Sequence, residues 1–173
     1  MDATYESLDG RPVLRFERQI GHPVEAVWRA ITEPQELKRW FPTVVGGEMR
    51  AGGQLTFTFE EHNLPPMRGE VTDFDPPSSL AFYWGEDHLR FELTPAAGGA
   101  QTDLRFTVLL DSVDKAARDG AGWTVCLARL ERQLTGAPTT APGGEPTGEW
   151  REHYEEYVRR GFPATAPIPD AAG

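Results

Sequence analysis

The chain has 173 residues, 39% of them apolar, which is enough for one globular domain with a buried core. Its formal net charge of −10 argues against a nucleic-acid partner, because such binding depends on clustered Lys and Arg that neutralise phosphates. No stretch approaches the roughly 18 consecutive apolar residues of a membrane span, and the acidic first ten residues do not resemble a secretory signal. With a single cysteine, Cys126, there is no internal disulfide, so we expect a cytoplasmic protein.

The first part of the chain predicts one strand and two short helices. Residues 13–20 alternate apolar and charged side chains, as a strand does. Two stretches then begin with Pro23 and Pro34 at the first helical position and continue with apolar residues at helical spacing. The predicted apolar faces are Val24, Val27, Trp28 and Ile31 in the first helix and Leu37, Trp40 and Phe41 in the second.

From residue 44 onward the period changes to two, and strand-like runs are separated by short turns, one of them at Pro76 and Pro77. Such connections predict antiparallel neighbours in one curved sheet. The alternation predicts an inward face of Leu55, Phe57, Phe59, Leu80, Phe82, Trp84, Leu89, Phe91, Leu93, Leu104, Phe106 and Val108. The opposite face, which we expect to meet water, consists of Thr56, Thr58, Arg90, Glu92, Asp103 and Arg105.

The last third predicts a long helix over the sheet and a shorter one after a linker. The long helix has an apolar stripe of Trp123, Leu127, Leu130 and Leu134. The predicted division is a domain at 1–136, a Pro/Gly-rich linker at 137–148, and an amphipathic helix with a fraying tail at 149–173. The stripe of this final helix is Trp150, Tyr154, Tyr157 and Val158.

This order of elements predicts an α+β helix-grip fold, and the chain resembles the START-like superfamily that includes birch-pollen allergens and polyketide cyclases. More closely, it resembles the branch named after activators of the ninety-kilodalton heat-shock chaperone's ATPase. The similar stretches are PVEAVWRAITEPQELKRWF, RGEVTDFDPPSSLAFYW, and GW at Trp123 followed by the Leu-spaced helix. Two features depart from the family pattern: Val108 stands where a strand-ending His often falls, and the final helix is an addition. We expect no counterpart of the named activator's chaperone-binding domain in the few residues before Val13.

The resemblance implies a cleft between the sheet and the long helix in which relatives bind or process lipids, sterols or polyketides. The predicted lining is aromatic, and the same rings have a simpler explanation as the filling of a solid core. We therefore predict a binding site for a small hydrophobic ligand, with a packed interior of the same rings as the alternative; its lining residues are Trp40, Phe57, Phe59, Phe82, Trp84, Phe91, Phe106 and Trp123.

Catalytic, nucleotide and metal motifs are absent from the sequence, so no catalytic residue, metal or cofactor is predicted. A polyketide cyclase would need an acid or base in the cleft, but the candidates Tyr83, Glu70 and Glu92 are predicted to point outward. The stretches 60–62 and 86–88 contain possible metal ligands at positions where charged residues usually solvate turns. Two interaction roles remain as alternatives: a co-chaperone-like module, and a homodimer formed through Trp150, Tyr154 and Tyr157.

Overall fold

The computed structural model describes residues 2–60, 62–139 and 147–168. In this part of the chain the strands are β1 (Thr4–Leu8), β2 (Arg11–Ile20), β3 (Val44–Gly47), β4 (Gln54–Thr58), β5 (Met67–Asp75), β6 (Ser79–Trp84), β7 (Asp87–Ala96) and β8 (Gln101–Leu109). They form one antiparallel sheet in the order β1-β2-β8-β7-β6-β5-β4-β3. The sheet is curved and open, with β1 and β3 at its two edges.

The helices are α1 (Val24–Thr32), α2 (Pro34–Leu37), α3 (Ala116–Leu134) and α4 (Gly148–Arg159). Pro34 begins α2 as predicted, whereas Pro23 is the N-cap one residue before α1. The long helix α3 lies over the concave side of the sheet, and α4 packs on α3. This arrangement confirms the predicted α+β helix-grip fold. None of these helices is long and apolar enough to cross a membrane.

The predicted inward face is the core of the molecule. Ten of its twelve residues are at most 4% exposed, and the two exceptions, Phe59 and Trp84, are half-buried. On α3 the stripe residues Trp123, Leu127 and Leu130 are buried against this face. Alternation therefore identified the covered side of β4, β6, β7 and β8, because the face of a sheet that lies under a helix must be apolar.

A register shift between Val71 and Asp73 interrupts the alternation of β5. Before the shift Val71 faces the core opposite Phe82, and after it Phe74 takes the same side opposite Leu80. A bulge of this kind inserts one residue and bends the strand. The ring of Phe74 consequently meets Trp28 of α1, with the ring centroids 5.5 Å apart.

The first strand, β1, was not predicted. It pairs antiparallel with β2 through a tight turn at Asp9 and Gly10, whose φ angles are 50° and 78°. Two consecutive positive φ values are typical of a type I′ hairpin turn, for which Asp-Gly is a favoured pair. The strand is an edge strand with mostly exposed side chains, so it has no apolar alternation to reveal it.

The end of the chain also differs from expectation. Residues 162–168 do not fray: Phe162 is 7% exposed, the Ala117 amide donates to the Pro163 carbonyl (2.9 Å), and the Ala166 amide donates to the Asp114 carbonyl (3.1 Å). These bonds hold the segment against the beginning of α3. Most of the predicted linker, at 140–146, and residues 169–173 lie outside the described residues, and the division into domains stays a prediction.

Candidate ligand-binding cleft

An aromatic cluster lies between the inner face of the sheet and α3. It contains all eight predicted site residues together with Phe41: Trp40, Phe41, Phe57, Phe59, Phe82, Trp84, Phe91, Phe106 and Trp123. Every ring has another ring of the cluster within 6.4 Å, measured between centroids. The pair in closest contact, Phe91 and Phe106, is stacked at 4.4 Å. The structure thus brings together side chains from four strands, α3 and the segment after α2.

Phe41 is the centre of this cluster, and the sequence analysis did not include it among the site residues. Its ring contacts those of five neighbours at 5.5–6.3 Å: Trp40, Phe57, Phe82, Trp84 and Trp123. Its position depends on the turn after α2, where the Phe41 amide donates to the Leu37 carbonyl (2.9 Å). The adjacent indole of Trp40 donates to the Ala30 carbonyl of α1 (2.9 Å), which fixes the segment.

The cluster is closed at one end and reaches the surface at the other. Phe57, Phe82, Phe91 and Phe106 are at most 1% exposed, but Phe59 and Trp84 are half-buried. Beside them lie Thr43, whose hydroxyl accepts a hydrogen bond from the Trp84 indole (3.1 Å), and the partly buried Met67, whose sulfur lies next to Gly85, the residue after Trp84. We call these four residues, Thr43, Phe59, Met67 and Trp84, the cleft mouth.

Helix α3 touches the sheet directly at this mouth. The rings of Trp84 and Trp123 meet edge to face, with centroids 5.4 Å apart and an interplanar angle of 69°. Phe82 reaches Trp123 through Phe41, which contacts both rings at 6.1 and 5.6 Å. Ring contacts therefore connect the sheet directly to α3.

Gly69 of β5 allows the strands to approach closely beneath the cluster. A Cβ at this position would lie 1.8 Å from the Tyr83 carbonyl oxygen and 2.8 Å from Cε2 of Phe57. Any other residue would displace the backbone of β6 or the ring of Phe57. The position of Phe57 in the cluster therefore depends on this glycine.

A buried charged group lies next to the mouth. Asp87 is opposite Trp84 in the β6–β7 hairpin and is 3% exposed. Both of its carboxylate oxygens lie 3.1 Å from the Lys115 ammonium, and one also accepts from the Asp111 amide at 2.9 Å. Lys115 contacts Asp111 as well, and Asp119 at 3.8 Å. Asp87 was predicted to lie in a turn, within the possible metal-ligand stretch 86–88, and neither its burial nor its ion pair with Lys115 was predicted.

The pKa values of this group follow from burial and from the shared ammonium. Burial raises the pKa of Asp87 above its usual range, although the Asp111 amide and Lys115 oppose the shift. The hydrogen bond from Lys115 lowers the pKa of Asp111. Burial would lower the pKa of Lys115, but its contacts with Asp111 and Asp87 outweigh burial and raise it. The ion pair links the β6–β7 hairpin to the beginning of α3.

Apart from Asp87, the catalytic and metal candidates named from the sequence lie away from the aromatic cluster. Tyr83 is 40% exposed, Glu70 is exposed, and Glu92 pairs with Arg90 at 3.6 Å on the outer face. His88 also faces outward, with Nε2 at 2.8 Å from the Thr72 hydroxyl. Glu61 lies outside the described residues, and among those described no group of three or more His, Cys, Asp or Glu is placed to hold a metal ion. Burial raises the pKa of the Cys126 thiol to about 12, which makes it a poor nucleophile.

Comparison with known proteins adds to this geometry. A family model described as "Activator of Hsp90 ATPase homolog 1-like protein" matches residues 21–135. The chain belongs to this family. All nine residues of the aromatic cluster fall inside the match, whereas β1, β2 and α4 fall outside it. A sequence search of curated proteins finds no significant match.

Several solved structures are similar over most of this family member. EF2215 from Enterococcus faecalis, a protein of unknown function, is 25% identical with a TM-score of 0.71, and the alignment covers 91% of each chain. CalU16 from Micromonospora echinospora is 21% identical with a TM-score of 0.68, covering 91% of this chain and 92% of CalU16. DynU16, a protein of the dynemicin biosynthetic locus, is 26% identical with a TM-score of 0.64, covering 74% of this chain and 49% of DynU16.

Proposed function

We propose that this protein binds a small hydrophobic ligand in the cytoplasm, at the cleft mouth and among the rings behind it. The observation that supports the proposal most directly is the continuity of the aromatic cluster from the buried Phe106 to the half-buried Phe59 and Trp84. Sites for small apolar molecules are lined mainly by apolar and aromatic side chains with few polar groups, which is the composition of this end of the cluster.

The chemistry of the mouth favours a mainly apolar guest with aromatic or flat character. Ring edges and faces at this end offer stacking and edge-to-face contacts, which add to the burial of apolar area. A guest that displaced the Trp84 ring from Trp123 would also find the Thr43 hydroxyl, which is 4% exposed and would need a new hydrogen-bond partner.

The fluorescent dye Nile red is a suitable probe. It is uncharged, so a protein with a net negative charge does not repel it, and its fluorescence increases in apolar surroundings. We expect saturable binding to the wild type and a loss of binding in Trp84→Ala. The matched control is Tyr83→Ala, which removes an aromatic ring from the next residue but on the outer face of the same strand. Tyr83→Ala should bind the dye as the wild type does.

Native mass spectrometry of the purified protein, followed by organic extraction, tests the same proposal without a probe. We expect an apolar molecule of fixed mass to accompany the folded protein. If no mass is retained and Nile red either does not saturate or binds equally to Trp84→Ala, the ligand-binding proposal is wrong.

A second candidate is a co-chaperone-like interaction, which the family match favours. It predicts that the protein stimulates the ATPase of the ninety-kilodalton heat-shock chaperone, and an unchanged ATPase rate would exclude it.

Homodimerisation through the α4 stripe stays a prediction. Tyr157 is 0% exposed within its own chain, and Trp150 and Tyr154 are half-buried, so a dimer would have to use their remaining surface. The mass in solution, measured by light scattering, decides this point.

A further inference from the structure

The C-terminal segment 147–168, which includes α4, lies outside the family match and packs against the long helix. The Tyr157 ring is fully buried beside Gly120 of α3, where an added Cβ would be 3.4 Å from the ring. Phe162 stacks on the Tyr157 ring with centroids 4.8 Å apart. This segment therefore contributes its own aromatic pair to the core, on the side of α3 that faces α4.

A chain of hydrogen bonds connects three separate parts of the protein through Tyr157. The Ala3 amide donates to the Tyr157 hydroxyl at 3.0 Å, and this hydroxyl lies 2.7 Å from that of Thr124. The Thr124 hydroxyl donates to the Gly120 carbonyl at 2.8 Å, so the Tyr157 hydroxyl is the donor between the two hydroxyls. The chain is buried, which makes each bond costly to break without replacement.

Further contacts attach the same segment to the edge strand. The guanidinium of Arg160 donates to the Ala3 carbonyl at 2.9 Å and lies 3.6 Å from the carboxylate of Asp2. The ring of Phe162 lies 5.6 Å from that of Tyr5 in β1. Segment 147–168 is thus bound to α3 on one side and to the beginning of the sheet on the other.

The part of α3 that is held in this way is the turn that carries Trp123. Gly120 and Thr124 flank Trp123, whose ring contacts Trp84 at the cleft mouth. Gly120 and Gly122 weaken the helix at this turn, because glycine in a helix interior costs stability relative to alanine. The turn that faces the mouth therefore depends on outside contacts to stay in place.

We propose that segment 147–168 is a strap that fastens α3 to β1, and that release of the Tyr157 hydroxyl from Thr124 and Ala3 is the step that admits a ligand to the cleft. The inference rests on the proposed ligand binding for its functional part. When the strap is released, the turn with Trp123 moves away from Trp84 and separates the rings at the mouth. The strap therefore sets the rate of ligand exchange more than the affinity.

The test compares two hydroxyl deletions on α4. Tyr157→Phe removes the hydroxyl that joins α3 to Ala3, whereas Tyr154→Phe removes one that bonds only within the strap, to the Ala164 carbonyl at 3.3 Å. In stopped-flow mixing with Nile red, Tyr157→Phe should raise the association and dissociation rates together by about 5- to 30-fold. The dissociation constant should change little, and Tyr154→Phe should resemble the wild type.

Amide hydrogen exchange separates failure of the strap from failure of ligand binding. Amides of residues 116–134 should exchange faster in Tyr157→Phe than in Tyr154→Phe, and Thr124→Ala should reproduce the effect from the other side of the bond. Equal exchange in the two tyrosine variants overturns the strap, whether or not the dye binds. Faster exchange with unchanged dye rates overturns the opening step. Faster exchange with no dye binding to the wild type leaves α3 fastened as inferred, but rejects the ligand site and with it the opening step.

Discussion

The two sides of α3 are held by different kinds of contact. Towards the sheet, Trp123 meets three rings, those of Phe41, Trp84 and Phe106, at 5.1–5.6 Å. Towards α4, Thr124 and Gly120 join a chain of hydrogen bonds to Tyr157 and Ala3. Apolar packing is strong but has little directional preference, whereas hydrogen bonds fix one geometry. The comparison indicates that the sheet side supplies most of the stability of α3 and the α4 side supplies its exact position.

Trp123→Ala removes ring contacts on the sheet side of α3 and should have the largest effect on stability. We expect a loss of about 3–5 kcal/mol in the free energy of unfolding, because an almost fully buried aromatic side chain is replaced by a cavity. Urea unfolding followed by circular dichroism measures it. Val113→Ala is the control, since Val113 is 49% exposed just before α3 and should stay within about 0.5 kcal/mol of the wild type. If Trp123→Ala loses as little stability as Val113→Ala, the sheet side does not supply most of the stability of α3.

The burial of the Cys126 thiol in α3 predicts that stability depends on pH in the alkaline range. Unfolding returns the pKa of Cys126 from about 12 to its ordinary 9.0, so above pH 9 the unfolded chain releases a proton that the folded chain keeps. Stability therefore falls by about 1.4 kcal/mol per pH unit between pH 9 and about 12.

Cys126→Ala should remove this slope, as shown by urea unfolding at several alkaline pH values. The pKa of Lys115 is raised above 10.5 in the folded protein, so its ion pairs add a further loss of stability at the highest pH values. This loss should occur in both the wild type and Cys126→Ala. Identical slopes for the wild type and Cys126→Ala would show that the thiol is not shielded as described.

Thr124→Val tests the α4 side and should have a smaller effect. The shape of the side chain is kept, but the Tyr157 hydroxyl loses its acceptor inside the protein. We expect a loss of about 1–3 kcal/mol, measured by urea unfolding. Thr58→Val, at an exposed strand position, provides the matched control. If the two variants are equally stable, the hydrogen-bond chain contributes nothing measurable.

Gly122→Ala should give the smallest effect and the opposite sign. An added Cβ would have Trp150 Nε1 as its nearest neighbour at 3.9 Å, an ordinary contact distance. A gain of up to about 1 kcal/mol is expected from the better helix propensity of alanine, visible as a higher Tm. Gly69→Ala is the contrasting variant, because its Cβ would overlap the Tyr83 carbonyl and must destabilise. A lower Tm for Gly122→Ala would show that α4 packs more tightly than these distances indicate.

The sequence was sufficient for seven of the eight described strands and for eight of the nine residues of the aromatic cluster, because both follow from local periodicity. Phe57 and Phe106, for example, lie between polar neighbours on the outer face, so the face that they share could be predicted without knowing the order of the strands. Which rings lie at the surface end could not be predicted. The half-burial of Phe59 and Trp84 depends on where β4 ends and where α3 crosses the sheet.

Except for β1, the missed features depend on contacts between distant parts of the chain, such as that of Asp87 with Lys115. Asp87 lies next to a tight turn, and only its pairing with Trp84 shows that it points inward. Segment 162–168 has the composition of a fraying tail, yet it is held by the first turn of α3. β1 had a local signal, Asp9-Gly10, which is a strong hairpin indicator between two extended segments.

The edge-to-face contact of Trp84 with Trp123 also gives the protein an optical signature. Two indoles 5.4 Å apart and inclined at 69° are close enough for their excited states to couple, so we expect their absorption bands to split into a pair with opposite signs in circular dichroism. The paired bands disappear when either indole is replaced or when α3 moves away from the β6–β7 hairpin. Closure of the helix on the sheet can therefore be followed in solution without any label.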